Sequence, residues 1–227
     1  MLRPEPSAFQ RLAAQNPEEA RQAASLVMAD ALRAGEIIGR IRALAKKSPP
    51  QKDRLDLNET IAEVIVMARN EVQRNRVSLM TQLANELPLI LGDRIQLQQV
   101  ILNLLINAVE AMCGLDESPR ELWISSQKVN EILVESEEDT LEYKASTEGA
   151  GTHVLIAVRD SRSGLNLKGR DRLFDAFYTT KPQGLGMGLA ISRSIIEAHG
   201  GRLWATANAP HGAVFQFTLP MRDERRS

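Results

Sequence analysis

Asn103 and Asn107 lie four residues apart in the most apolar stretch of the chain. Asparagine is a poor interior-helix residue, because its amide competes for backbone hydrogen bonds. At a spacing of four, both amides project from one helix face. They are either core amides satisfied by neighbouring backbone or neutral oxygen ligands for a hard cation beside phosphates. Magnesium suits the second reading, since it takes few protein ligands and keeps waters and phosphate oxygens. Further on, Gly184-Leu185-Gly186-Met187-Gly188, with Leu189 after it, runs directly into a helical pattern. Glycines let backbone N–H groups approach an anion, and a helix N-terminus adds positive partial charge. Alone that is weak, because a tight loop needs the same residues. The spacing is not that of the dinucleotide fingerprint, and the GK[ST] ending of a P-loop is absent. Asp160 follows the apolar run Val154-Leu155-Ile156-Ala157-Val158. A carboxylate at such a sheet edge either caps a turn or accepts a hydrogen bond from an exocyclic amine.

Composition narrows what these residues can serve. The 227 residues carry 28 Lys plus Arg against 29 Asp plus Glu, so binding to a polyanion by bulk charge is excluded. One cysteine, Cys113, cannot make an intrachain disulfide, which fits a reducing compartment. His153, His199 and His211 are too scattered to form a zinc site with it. No apolar run approaches a membrane span of ~18–20 residues, and the start lacks the apolar core of a secretory signal. A cytoplasmic chain with no nucleic-acid partner and no membrane contact is expected.

The elements that must position the site read as follows. Asn16-Pro17-Glu18-Glu19 is a helix start. Ala20, Ala23, Val27, Asp30, Ala34, Ile37, Ile41 and Leu44 then alternate spacings of three and four, a seam with one polar member. Such a helix spans roughly 45 Å and is expected to pair in a homodimeric bundle over residues 17–47; packing on its own domain is the alternative. Ser48-Pro49-Pro50 is a hinge, which divides the chain into 1–50 and 51–222. Asp56 opens a helix to about Asn75, with Ile61, Val64, Ile65 and Ala68 buried. Period two follows at Val77, Leu79, Thr81 and Leu83, and a short strand at 89–91. Asp93 caps a helix ending near Met112 that is apolar almost all round, Ile95 included. Strands are expected at 121–128, 154–160, 202–206 and 214–219, and a last helix at 187–199. The second domain is therefore α+β, a two-layer sandwich with helices on one face of a largely antiparallel sheet. Residues 131–148 hold seven acids against Lys144 alone, an acidic insertion read as a solvated hairpin.

In this order the pieces resemble the GHKL ATPase superfamily. Asn103-Leu-Leu-Ile-Asn107-Ala-Val-Glu-Ala is similar to its N box, and Val158-Arg-Asp160-Ser-Arg-Ser-Gly164-Leu to its G1 box. Leu173-Phe174-Asp-Ala-Phe177 is similar to the F box, residues 184–189 to the G2 box, and Phe217-Thr218-Leu-Pro to the closing strand. Phe177-Tyr-Thr-Thr-Lys181 and Ile195-Ile-Glu-Ala-His199-Gly-Gly match the sensor histidine kinase branch of two-component systems. Residues 33–44 resemble the second helix of its dimerisation domain. The resemblance implies that ATP and Mg²⁺ are bound, with a response-regulator receiver domain as partner. Asp160 would take the adenine amino group, helped by Thr218, and Asn107 with Asn103 would hold Mg²⁺. Gly164 belongs to the adenine turn, and Gly184, Leu185, Gly186, Met187, Gly188 and Leu189 form the phosphate cradle. Lys181, in a lid over 161–183, would neutralise the γ-phosphate. ATP-hydrolysing members of the gyrase and MutL types carry glutamate where Asn103 stands; an amide cannot take a proton from water.

Two departures stand beside the matches. No histidine has the His-Glu or His-Asn context, followed by proline, of the family's phosphoacceptor, so the acceptor is expected outside this chain. Arg162 replaces the first glycine of the G1 box, where it restricts φ and adds bulk. That keeps open a second reading, a kinase-like dimerisation and response-regulator-binding module with weak or no ATP binding.

Overall fold

The computed structural model describes residues 52–113, 119–133, 143–145, 152–161, 172–179, 186–208 and 212–221. The chain divides into two compact units at Pro49/Pro50, and every described residue lies in the second. The expected helix over 17–47 therefore lies outside the described residues.

A short strand, β1 (Asp53–Leu55), precedes helix α1 (Leu57–Arg74). Asp56 caps α1 by accepting from the N–H groups of Asn58, at 2.7 Å, and Glu59, at 3.3 Å. The buried stripe is Leu57, Thr60, Ile61, Val64, Ala68 and Val72, the three- and four-residue spacing of one helix face. At its end Val77 N–H bonds Val72 C=O and Arg76 N–H bonds Gln73 C=O. Arg76 takes a φ of 53°, so an arginine fills the left-handed position that glycine usually holds.

Strands β2 (Ser78–Leu83) and β3 (Ile90–Gly92) lead to helix α2 (Arg94–Ala111), capped by Asp93 through the Gln96 N–H. Leu97, Val100, Ile101, Leu104, Leu105, Ala108 and Val109 are buried along it. Ile95 is not among them: it is 75% exposed in the first turn, because the core begins only at Leu97. Then come β4 (Glu121–Leu133), β5 (Tyr143–Ala145), β6 (Thr152–Asp160), α3 (Gly188–Ala198), β7 (Arg202–Ala207) and β8 (Ala213–Pro220).

Among the described residues, the main sheet runs β2-β4-β6-β8-β7, with β5 paired to the end of β4 and β1 paired to β3 apart from it. Only β2 and β4 run parallel; the other ladders are antiparallel. Residues 131–133 and 143–145 are thus two legs of a hairpin within the acidic segment. Alternate residues of the sheet, such as Leu122, Ile124, Val154, Ile156, Val158, Leu203, Phe215 and Phe217, enter one core with the helices. This is the α+β sandwich expected, with helices on one face. β1 was not anticipated: Asp-Arg-Leu has no strand character, and its pairing with Ile90–Gly92 creates it. No described helix is long and apolar enough to cross a membrane.

Candidate functional site

Asn103 sits where α2 passes the start of α3. Its Nδ2 donates to Ser192 Oγ at 3.0 Å, and Ser192 is buried. Its Oδ1 lies against Gly188, the first residue of α3, so closely that a Cβ there would overlap it. Asn107, one turn further along α2, is also half-buried and has its own polar contact. The Asn103 amide therefore looks onto a helix N-terminus whose first residue has no side chain. An anion can approach that surface, and the neutral oxygens suit a hard cation beside it.

The loop ahead of α3 is tied down from outside. Phe177 N–H donates to Gly186 C=O at 3.0 Å. Gly186 has a φ of 65°, and a Cβ on it would overlap the Tyr178 carbonyl, so both conformation and space require glycine. Phe174 leans on the core, whereas Phe177 is 74% exposed with a φ of 68°. A bulky residue in the left-handed region is strained, and such strain gathers at functional sites. Met187 and Leu189 flank Gly188 and are half-buried.

Asp160 ends β6 in the middle of the sheet rather than at an edge strand, and it is 2% exposed. It lies on the helix-facing side, in phase with Val154, Ile156 and Val158. Ala213 N–H donates to its Oδ1 at 3.2 Å, and Asn208 Nδ2 donates to its carbonyl at 3.2 Å. Gly212, with a φ of 120°, is packed so tightly on that carbonyl that a Cβ would overlap it. The β7–β8 turn thus wraps the aspartate. Ser161 Oγ reaches Met112 Sδ at 3.6 Å, which sets this end of β6 beside the C-terminal end of α2.

Thr218 is not brought to Asp160. It pairs with Leu155 on β6 and Arg202 on β7, five residues along the register, about 16 Å at the rise of a strand. It also points to the opposite sheet face from Phe217 and Leu219. The expectation that it assists Asp160 is corrected: Ala213 N–H, Asn208 and Gly212 surround the carboxylate instead. A glycine placed just before the alternating run Val214-Phe215-Gln216-Phe217 was the signal for them. Gly164, Lys181, Gly184, Leu185 and Arg162 lie outside the described residues, as does most of 161–183.

His199 is the other buried polar side chain near these helices, at the C-cap of α3. Nδ1 bonds the Ile195 carbonyl at 2.8 Å, and Asp93 N–H donates to Nε2 at 3.0 Å. Burial holds its pKa below the ordinary value; the Ile195 carbonyl opposes that shift, Lys52 adds to it, and Asp93 opposes it.

Residues 92–223 match the family described as histidine kinase-, DNA gyrase B- and HSP90-like ATPase. The sensor protein FixL of Bradyrhizobium diazoefficiens is 38% identical over 86% of this chain and 34% of its own length. The C4-dicarboxylate transport sensor protein DctS of Rhodobacter capsulatus is 37% identical over 90% of this chain and 28% of its own. The chain therefore spans about a third, or less, of the length of these two curated relatives. Among solved structures, the catalytic domain of histidine kinase ThkA superposes with a TM-score of 0.57 at 29% identity, covering 74% of this chain and 95% of that one. ThkA in complex with the response regulator protein TrrA superposes at 0.67 and 24% identity, over 93% of this chain and 54% of that one, and shares the fold. With more than half of its residues matched, the chain belongs to the histidine kinase-, DNA gyrase B- and HSP90-like ATPase family, and within it is similar to sensor histidine kinases.

Proposed function

We propose that the chain is the ATP-binding part of a sensor histidine kinase, which supplies the γ-phosphate of Mg-ATP to a histidine for relay to a response-regulator aspartate. The observation that carries this reading is Asn103: an amide, bonded to Ser192, faces the bare start of α3. A group without a proton-accepting nitrogen or carboxylate cannot activate water there, which suits a site that must keep ATP intact for transfer.

The span agrees with a nucleoside triphosphate. Ser161, the neighbour of Asp160, contacts Met112 at the end of α2, and Asn103 is nine residues back, about 13 Å along the helix. Adenine would meet the Asp160 carboxylate, and the phosphates would meet the N–H groups of residues 184–189 and the positive end of α3. Asn107, with Asn103, would hold Mg²⁺, whose chemistry when bound is to draw charge from phosphate oxygens. Lys181 would pair with the γ-phosphate and Gly164 would line the base. His199 is a poor acceptor, being buried with both ring nitrogens bonded. The reading includes a homodimer through residues 17–47, a response-regulator receiver domain as partner and a cytoplasmic site of action; the similar ThkA is in complex with the response regulator protein TrrA.

The test is transfer in trans. The chain, γ-labelled ATP and a separate helical domain bearing an acceptor histidine should yield acid-labile phosphate on the added domain and none on the chain itself. Bound nucleotide with no label on any acceptor, or label on His199, would contradict the assignment.

A further inference from the structure

The bonds at His199 leave one protonation state open. A backbone N–H can only donate, so Nε2 must accept from Asp93; a carbonyl can only accept, so Nδ1 must donate to Ile195. The ring is therefore the neutral Nδ1–H tautomer. It stands over Gly92, where a Cβ would come within 3.3 Å of its Cδ2. Lys52 Nζ donates to Ala198 C=O at 3.0 Å, next to it in the chain. Among the described residues, the charged groups acting on the imidazole are Lys52, ahead of β1, and Asp93, at the cap of α2.

The consequence reaches the nucleotide site through two helices. α2 carries Asn103 and Asn107; α3 begins at Gly188. They run antiparallel and are bonded at two places, Asn103 to Ser192 and Asp93 to His199. These ties are ten residues apart on α2, about 15 Å. An added proton on Nε2 would set a donor against the Asp93 N–H, neither able to accept. α3 is a single short rigid element, so loss of the far tie shifts the near end where Gly188 meets Asn103.

We propose that His199 is a positioning residue of the nucleotide site, whose neutral ring locks α3 against the start of α2 and whose protonation weakens nucleotide binding. The claim rests on the ATP-binding reading above and adds a pH-dependent lock to it. The folded pKa lies below the ordinary ~6.5, so the lock holds above the folded value and is lost as pH falls through it.

The experiment titrates the full chain with a non-hydrolysable ATP analogue and Mg²⁺ at about pH 7.5 and about pH 5.5, in the wild type, His199→Gln and His199→Ala. A glutamine Oε1 reaches the place of Nε2, accepts without titrating, and should rescue. Because the terminal phosphate also gains a proton in this range, the readout is the difference between proteins. Acidification should weaken the wild type more than His199→Gln, by less than about tenfold because the folded pKa lies below ~6.5, while His199→Ala is weak at both values. Equal pH dependence in wild type and His199→Gln would overturn the proposal. Nitrogen NMR of the wild-type ring gives a second measure that no variant's folding can obscure. An Nδ1–H tautomer titrating below 6.5 is expected, and an Nε2–H tautomer or an ordinary titration would sink the lock. Absence of binding at either pH would instead remove the nucleotide reading, leaving the NMR result to judge the ring.

Discussion

Asn103 Oδ1 rests on Gly188 with no room for a Cβ between them. An α2 side chain and the first residue of α3 are therefore fitted to each other, and Ser192 fixes the amide so that its oxygen faces that way. Among the described residues, the candidate site lies at the junction of two helices, with Asp160 and its Ala213 partner coming from the sheet.

Gly188→Ala separates site from fold. Alanine is the better helix former by about 0.5–1 kcal/mol, and the overlap falls on a side chain that can swing away. Thermal denaturation should show little loss of stability, while Mg-nucleotide affinity falls at least about tenfold. Unchanged affinity would show that the contact is mere packing.

Asn107→Ala should lose Mg²⁺-dependent nucleotide affinity by about 10–100-fold, and Asn103→Ala should lose less. Titrations with and without Mg²⁺ separate the metal contribution from general damage. Equal affinities in wild type and Asn107→Ala would remove the metal assignment.

Much of this was legible in the sequence where local chemistry and tertiary need coincide. Asp56 and Asp93 announced their helices because a carboxylate before an apolar stripe has one common use. Gly200 and Gly201 mark the end of α3, with Gly200 at a φ of 77° and Gly201 pressed on the Thr218 carbonyl. The paired asparagines were conspicuous because they are costly in an apolar helix. What was hidden depended on register. Thr218 looked like a partner for Asp160 by motif, but strand phase put it on the other sheet face and five residues away. β1 has no apolar pattern and exists through its pairing alone. The bond from Asp93 N–H to His199 Nε2 joins residues 106 apart, which no periodicity reveals.

The Thr218 correction makes a contrast. Thr218→Val should leave nucleotide affinity within about twofold, because its hydroxyl faces away from the helix side. Asp160→Asn should weaken adenine nucleotides by roughly tenfold or more, since a hydrogen bond to a charged group contributes about 1.5–3 kcal/mol. Calorimetry on both variants checks the pair, and the reverse ranking would restore Thr218 to the site.

Folding stability should depend on pH through His199. Its folded pKa is depressed by burial, so the unfolded chain binds more protons in mild acid. Stability from this group is full above about pH 6.5 and declines as pH falls. Urea denaturation of wild type and His199→Gln across that range should show a steeper decline in the wild type; parallel curves would contradict it.

The central claim is that this junction binds Mg-ATP. Isothermal calorimetry of the full chain with a non-hydrolysable ATP analogue, in the presence of Mg²⁺ at neutral pH, tests it directly. Binding in the micromolar to sub-millimolar range, weakened in both Asp160→Asn and Asn107→Ala, is the predicted result. No detectable binding at millimolar analogue by the folded wild-type chain would contradict it.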